Sequence, residues 1–185
     1  MNVTFCMLGY DELYSRLVNY NARRPYRKLD SAIEKIKYFN PGYEQESGGA
    51  KFYYFCAFHK DTLVGVAKLK TGGTASLSNT GWENWIGYVS VRENWFGHGI
   101  GKQILRNLFN FCAERNLKVL MSGYSVRGWF HLRQAAHDIS TELGVEICDN
   151  ATEPTFYDWE ACEGYNQAEY ENISKCFYEA KRKAC

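Results

Sequence analysis

Three alternate glycines, Gly97, Gly99 and Gly101, separate an apolar segment from a helical pattern in the run WFGHGIGKQ. Glycine lets the backbone approach a bound group closely, and the first amides of a helix have no partner inside it. The helix dipole adds partial positive charge at the same end. A strand that turns through glycines into a helix is therefore typical of an anion site, and we expect a phosphate as its ligand.

The spacing of these glycines argues against two common nucleotide-binding loops. A Walker A loop has the form G-x-x-x-x-G-K-[ST], but Gln103 follows Lys102, so the hydroxyl that would bind magnesium is missing. A dinucleotide fingerprint has the form G-x-G-x-x-G, and Gly101 comes one residue too soon for it. The phosphate is expected to belong to another kind of ligand.

Hydrophobic periodicity predicts the elements that position this loop. Strands are predicted at residues 2–8, 51–59, 62–70, 82–91, 118–125, 145–148 and 155–159. Helices are predicted at 13–18, 29–39, 100–112, 132–143 and 170–180, and Asn116 and Gly144 stand where two of them should end. The order predicts a mixed α/β (α+β) fold with an antiparallel meander of strands two to four, rather than a Rossmann fold or a TIM barrel.

The composition is that of an ordinary globular domain. The chain has 185 residues, with 22 Lys and Arg against 21 Asp and Glu, and this balance makes nucleic acid an unlikely partner. Its seven cysteines form no C-x-x-C pair, which favours reduced thiols and predicts no metal site. No signal peptide or run of eighteen apolar residues is present, so we expect a cytoplasmic protein without a membrane partner.

The segment from Phe96 to Gly101 resembles the pyrophosphate-binding motif of the GNAT N-acetyltransferase superfamily, [QR]-x-x-G-x-[GA], which follows a strand ending in a V-x-V segment. The order of elements is also similar to that of the family, as is the segment 134–145, whose family counterpart ends in Y-x-x-x-G-[FV]. The resemblance covers residues 2 to 160. It implies a central, mixed, mostly antiparallel twisted sheet flanked by helices in a domain at 1–160, with an amphipathic C-terminal helix at 161–185 packed on that domain.

The resemblance implies that acetyl-CoA is the acyl donor, with no metal. Main-chain groups along the strand would pair with its pantetheine arm, at Val89, Ser90 and Val91. Backbone amides of the loop would hold its pyrophosphate, at Gly97, His98, Gly99, Ile100, Gly101 and Lys102. Phe96 stands where the family usually has Gln or Arg, and Arg133 stands where many members place an Asn that contacts the cofactor.

Direct acetyl transfer needs a base for the amine and an acid for the leaving thiolate. Glu83 is the candidate base, because it precedes the V-x-V segment near where some members keep a glutamate, and strict alternation would place it on one face with Trp85, Gly87 and Val89. Ser140 stands where the family often has the tyrosine that protonates coenzyme A. Because serine is a poor acid, Tyr124 or a nearby histidine is the alternative.

The resemblance therefore predicts an enzyme that moves an acetyl group to a primary amine, either a protein lysine or N-terminus or a small molecule. One alternative is an inactive acyl-CoA-binding or protein-interaction module, which the departures at Phe96, Arg133 and Ser140 motivate. Another is acetylation of an RNA or aminoacyl-tRNA amine, which a basic cluster motivates: Arg23, Arg24, Arg27 and Lys28. The oligomeric state is left open, with a homodimer among the options.

Overall fold

A computed structural model describes residues 2–18, 29, 33, 36, 49–72, 82–121 and 123–153. The chain divides into two compact units, Met1–Ser122 with Ala135–Asn150 and Gly123–Gln134 with Ala151–Cys185. The predicted strand at 155–159, the boundary at 160 and the tail helix lie outside the described residues, as does the basic cluster at 23–28.

Six strands form one sheet whose order follows the chain. They are β1 (Thr4–Leu8), β2 (Lys51–His59), β3 (Thr62–Thr71), β4 (Trp85–Val91), β5 (Val119–Met121) and β6 (Ile147–Cys148). β1 to β4 pair antiparallel, and β4, β5 and β6 pair parallel. The predicted mixed, mostly antiparallel sheet and the meander of β2, β3 and β4 are confirmed.

Helices connect several of these strands along the chain. They are α1 (Tyr10–Leu17), α2 (Ile100–Glu114), α3 (Val126–His131) and α4 (Arg133–Leu143), with one 3-10 turn at Glu93–Trp95. Asn116 and Gly144 follow α2 and α4 with left-handed φ angles of 50° and 67°, and the amide after each bonds back to the carbonyl five residues earlier. Both predicted helix ends are therefore confirmed as Schellman caps.

The two faces of the sheet have separate cores. On the face toward α1, a cluster joins Leu13 and Leu17 of the helix to Tyr54, Cys56 and other buried side chains of the sheet. Leu29, Ile33 and Ile36 belong to it and are helical, in agreement with the predicted helix at 29–39. We call this side the α1 face. The sequence predicted that the apolar face of the first helix includes Val18, but that side chain is 45% exposed.

The opposite side, the α2 face, packs against the helix that begins at the glycine loop. Ile104, Leu105 and Leu108 of α2 are fully buried. Phe111, one turn later, contacts the rings of Tyr53 and Phe55 on β2. Because α2 lies across β2, β3 and β4, the sheet fixes the position of the loop that precedes the helix.

Two predicted strands are shorter than expected. β4 begins at Trp85 instead of residue 82. Just before it, Asn84 Oδ1 accepts from Gly72 N at 3.4 Å, Nδ2 donates to Lys118 O at 2.8 Å, and the Asn84 carbonyl oxygen accepts from Leu120 N at 2.9 Å. β5 ends at Met121 instead of residue 125. At the predicted end of the strand, Ser125 Oγ accepts a hydrogen bond from Gly128 N at 3.3 Å and caps α3, a helix that the hydrophobic periodicity did not predict.

Candidate functional site

β4 and β5 form a fork in the sheet. Their ladder has two residue pairs, Trp85 with Leu120 and Ile86 with Met121. β5 then ends, whereas β4 continues to Val91. The segment Gly87–Val91 thus runs beyond the described part of β5, and no described strand pairs with its backbone edge on that side. A ligand that pairs like a strand could bind to such an edge.

A β-bulge lies at the fork. Tyr88 pairs with Lys68 and Ile86 pairs with Leu69, so Gly87 is the extra residue of β4. The bulge reverses the alternation: Trp85 shares the α1 face with Tyr88 and Ser90, and Val89 lies on the other face. The expectation of one continuous face from Glu83 through Val89 was therefore wrong, because alternation assumes an unbroken ladder.

The loop after β4 has the backbone that its glycines predict. Gly97 and Gly99 have φ angles of 78° and 74°, and a Cβ on either would meet no atom within 4 Å. Gly99 is the N-cap of α2 and provides no capping side chain, and the first turn holds no acidic residue. Lys102 lies in that turn and is exposed. The amides at this end can therefore bind an anion without competition from a carboxylate of the same turn.

Trp95 anchors the loop to the sheet. Its indole is buried, with the His59 ring 5.0 Å away and the His98 ring 6.0 Å away, centroid to centroid. One nitrogen of His59 is 3.0 Å from the carbonyl oxygen of Asn2. The loop motif predicted a role for His98 but not this anchor. An aromatic residue immediately before the loop was the available signal. His98 itself is exposed in the loop.

The remaining predicted cofactor contacts flank the loop. Phe96 is 38% exposed, so the position where the family usually has Gln or Arg presents an apolar ring to solvent. Ser90 is buried, and Val89 and Val91 are half-buried on the extended edge of β4. Ile100 and Gly101 are buried, so their contribution to a ligand would come from the backbone.

Glu83 is exposed and lies just before β4, next to the anchored Asn84. At about 3.3 Å per residue, four residues separate it from Gly87 by roughly 13 Å along the chain. The loop at Gly97 lies at the other end of β4. Glu83 is therefore much nearer to the fork than to the anion loop.

Ser140 lies on the buried side of α4 and is 3% exposed. Its hydroxyl donates to the carbonyl oxygen of His137 at 2.9 Å, which occupies its proton within the helix. The imidazole of His137 is 2.7 Å from a carboxylate oxygen of Asp149. This geometry disfavours Ser140 as a proton donor.

Tyr124 and Arg133 belong to the second unit and share a neighbour. The Tyr124 ring is buried and meets the edge of Trp129 at a centroid distance of 6.2 Å. The Arg133 guanidinium carbon lies 4.1 Å from the centroid of the same indole, in cation–π geometry.

All four cysteines in the described part of the chain are free thiols, and three of them are disfavoured as covalent nucleophiles. Burial raises the pKa of Cys6, raises that of Cys112 to about 12 and raises that of Cys56 further. Protonated thiols are poor nucleophiles.

Among the described residues, no group of three or more His, Cys, Asp or Glu side chains could hold a metal ion. No helix in the described part of the chain is long and apolar enough to cross a membrane.

Several solved structures have a similar fold. An aminoglycoside acetyltransferase from an uncultured soil metagenomic sample is 17% identical, with 84% of this chain and 93% of that chain covered and a TM-score of 0.45. A ribosomal-protein-alanine N-acetyltransferase from Brucella melitensis biovar Abortus 2308 is 13% identical, with 84% and 99% covered and a TM-score of 0.45.

A predicted acetyltransferase from Clostridium acetobutylicum, solved with acetyl-CoA, is 14% identical, with 83% of this chain and 96% of that chain covered and a TM-score of 0.41. No curated protein matches the sequence. The sequence profile of the acetyltransferase (GNAT) family matches residues 16–127, which include the meander, the fork and the glycine loop. Because this match spans more than half of the 185 residues, the chain belongs to the acetyltransferase (GNAT) family.

Proposed function

We propose that the protein is an acetyl-CoA-dependent N-acetyltransferase that moves an acetyl group directly to a primary amine. The observation that carries this proposal is the continuity of two features on β4. The edge of Gly87–Val91, which no described strand pairs, leads into a loop with two exposed, left-handed glycines. A ligand with a strand-like arm and a terminal pyrophosphate fits both features at once.

The loop suits the pyrophosphate. Space beside Gly97 and Gly99 is open, Lys102 adds a positive charge, and the N-terminal amides of α2 supply donors. The main chain of Val89, Ser90 and Val91 would pair with the amides of the pantetheine arm, as an edge strand does with an added strand. Phe96 would contribute an apolar surface in place of the family's polar side chain.

The donor supplies an activated thioester carbonyl, and the residues of the chain move the protons. Glu83 is the proposed base for the incoming ammonium, because it is an exposed carboxylate on the fork side of β4. Tyr124 is retained as the proposed proton donor to the departing thiolate, with Ser140 as the other candidate, because a serine is a poor acid. The buried, protonated thiols of Cys56 and Cys112 support direct transfer without a cysteine intermediate.

The proposed acceptor is an amine of a small molecule or of a protein, at a lysine or the N-terminus. A cytoplasmic location is part of the proposal and agrees with the free thiols of the described cysteines. The domain arrangement that the sequence predicts remains part of the proposal: an acyl-CoA-binding domain at 1–160 and an amphipathic C-terminal helix at 161–185 packed on it.

Cofactor binding is tested first, and turnover is tested second. Saturating acetyl-CoA should raise Tm, because a ligand at 100 times its Kd stabilises the native state by about 2.7 kcal/mol. Coenzyme A release is then followed with a panel of peptides and small amines. No Tm shift would refute the proposal. A shift without release from any amine would favour the acyl-CoA-binding module instead.

A further inference from the structure

Asn84 is a buried polar residue next to the proposed base, Glu83. It is only 7% exposed, and a buried amide costs free energy unless both its oxygen and its nitrogen have hydrogen-bond partners. Its Oδ1 accepts from Gly72 N at 3.4 Å, and its Nδ2 donates to Lys118 O at 2.8 Å. Because one partner is a donor and the other an acceptor, the pair also fixes the orientation of the amide.

These bonds connect three strands of the sheet. Gly72 directly follows β3, and Lys118 directly precedes β5. The main-chain oxygen of Asn84 also accepts from Leu120 N at 2.9 Å. By extension of the β4–β5 register, Asn84 lies opposite Val119. Its bonds to Lys118 and Leu120 therefore hold the residues on either side of that position, at the start of β5.

Few contacts hold the paired end of the fork together in the described part of the chain. The ladder between β4 and β5 has two residue pairs, and beyond them β4 continues without β5. A parallel ladder of this length has few hydrogen bonds. The Asn84 amide adds one bond to the start of β5 and one to the end of β3, so it contributes to the fixed geometry of this end.

Glu83 depends on that geometry. It is exposed and lies two residues before β4, so its backbone is oriented by its neighbour in the chain. Asn84 is that neighbour, and its side chain and carbonyl oxygen are both bonded to other segments. A carboxylate acts as a base only when it is within hydrogen-bond reach of the proton that it removes. The direction of the Glu83 side chain is therefore critical for the proposed reaction.

We propose that Asn84 is a positioning residue, which holds Glu83 in the direction from which it takes a proton from the acceptor amine. This inference rests on the proposed function, because it needs Glu83 as the base. Asn84 does not touch the donor in this account. The anion loop follows Val91, which is about 20 Å from Trp85 along β4, so the pyrophosphate site should not depend on Asn84.

The test measures kcat for each donor-binding site. Calorimetry with coenzyme A gives the affinity and the number of sites, and coenzyme A release with an amine that the wild type acetylates gives the rate. In Asn84→Ala, kcat per site should fall about 10- to 100-fold, because misplaced groups lose this much, while coenzyme A affinity stays nearly unchanged. A merely structural role would lower Tm and leave kcat per site at the wild-type value.

Tyr10→Phe is the matched control. The Tyr10 hydroxyl donates to Ile36 O at 2.8 Å within the α1-face core, so this variant also loses a buried hydrogen bond to a carbonyl. Its Tm should fall and its kcat per site should remain that of the wild type. A fall in kcat equal to that of Asn84→Ala would overturn the inference, because the loss would then follow from any weakened core.

A double-mutant cycle shows whether Asn84 acts through Glu83. If it does, Asn84→Ala should cost much less kcat in the Glu83→Gln background than in the wild type, because the group that it positions is already absent. Equal losses in the two backgrounds would overturn the inference.

Asn84→Asp keeps the size of the side chain and remains informative if Asn84→Ala does not fold. A protonated carboxyl can donate to Lys118 O and accept from Gly72 N, whereas an ionised one has no proton to donate. Charged neighbours are Glu83, Lys118 and Lys70 of β3. Relative to the wild type at the same pH, the kcat of Asn84→Asp should be low at about pH 8 and rise toward about pH 5. Wild-type kcat at both pH values would overturn the inference.

The outcomes separate this inference from the proposed function. If the wild type binds coenzyme A and acetylates an amine but Asn84→Ala retains wild-type kcat per site, only this inference fails. The same holds if coenzyme A affinity falls as much as kcat, because the amide would then shape the donor site. If the wild type neither binds coenzyme A nor acetylates any amine, the proposed function and the inference fail together.

Discussion

Gly65 of β3 lies so close to Ile104 of α2 that a Cβ on the glycine would be 2.8 Å from Cδ1 of the isoleucine. The same Cβ would be 3.0 Å from Cγ2 of Ile100, in the first turn of the helix. Real Cβ atoms essentially never come closer than 3.0 Å to another atom, so a larger residue would force the Ile104 side chain or the start of α2 to shift. The glycine thus allows the first turns of α2 to pack closely on the sheet.

Gly65→Ala should destabilise the protein by about 1–3 kcal/mol, the usual cost of adding a methylene to a filled core. Its Tm should fall by about 2–4 °C per kcal/mol for a chain of this size. Gly9→Ala is the matched control, because a Cβ there meets nothing within 4 Å and the φ angle is −75°. Equal melting curves for the two variants would show that α2 can move away from β3 without cost.

Gly99→Leu should weaken coenzyme A binding by about tenfold or more, because the side chain enters the space beside the loop amides. It should also destabilise the fold by about 1–2 kcal/mol through its left-handed φ. Gly144→Leu shares the left-handed φ and the open surroundings, but lies after α4. Calorimetry of coenzyme A binding to both variants separates the effect of backbone strain from the effect of a blocked site. Equal affinities of the two variants for coenzyme A would mean that the pyrophosphate binds elsewhere.

The sequence was informative where structure depends on local chemistry. The left-handed Gly99, the meander and the ends of α2 and α4 at Asn116 and Gly144 follow from residue types and spacing. The bulge at Gly87 could not be predicted, since an extra residue in one strand becomes visible only against its partner. The bond from the Ser140 hydroxyl to His137 also depends on a rotamer, which no pattern encodes.

Glu83→Gln should lower turnover by about 100-fold or more near neutral pH, the range by which a positioned base usually accelerates proton transfer. Coenzyme A affinity should stay nearly unchanged, because the residue lies on the fork side of β4, away from the anion loop. Glu114→Gln, at the far end of α2, is the control. Initial rates and calorimetry are needed for both variants. Wild-type turnover in Glu83→Gln would assign the base to another group.

Arg106 of α2 and Glu142 of α4 form a bidentate ion pair at 2.6 and 2.8 Å between guanidinium and carboxylate. The hydrogen bonds from Arg106 hold the pKa of Glu142 below its usual value. A carboxylate with a lowered pKa stabilises the folded state above its unfolded pKa, and this contribution disappears as pH falls through the folded pKa. The pair should therefore contribute at neutral pH and lose its effect in acid, below about pH 4.

The effect should be small and sensitive to salt, since both side chains are exposed to solvent. A double-mutant cycle of Arg106→Gln and Glu142→Gln, read as Tm, isolates the coupling of the two groups. We expect a favourable coupling at pH 7 and low salt that decreases at 1 M salt and approaches zero in acid. A coupling that grows as pH falls would mean that the pair is not an ion pair in solution, because a protonated carboxyl cannot form one.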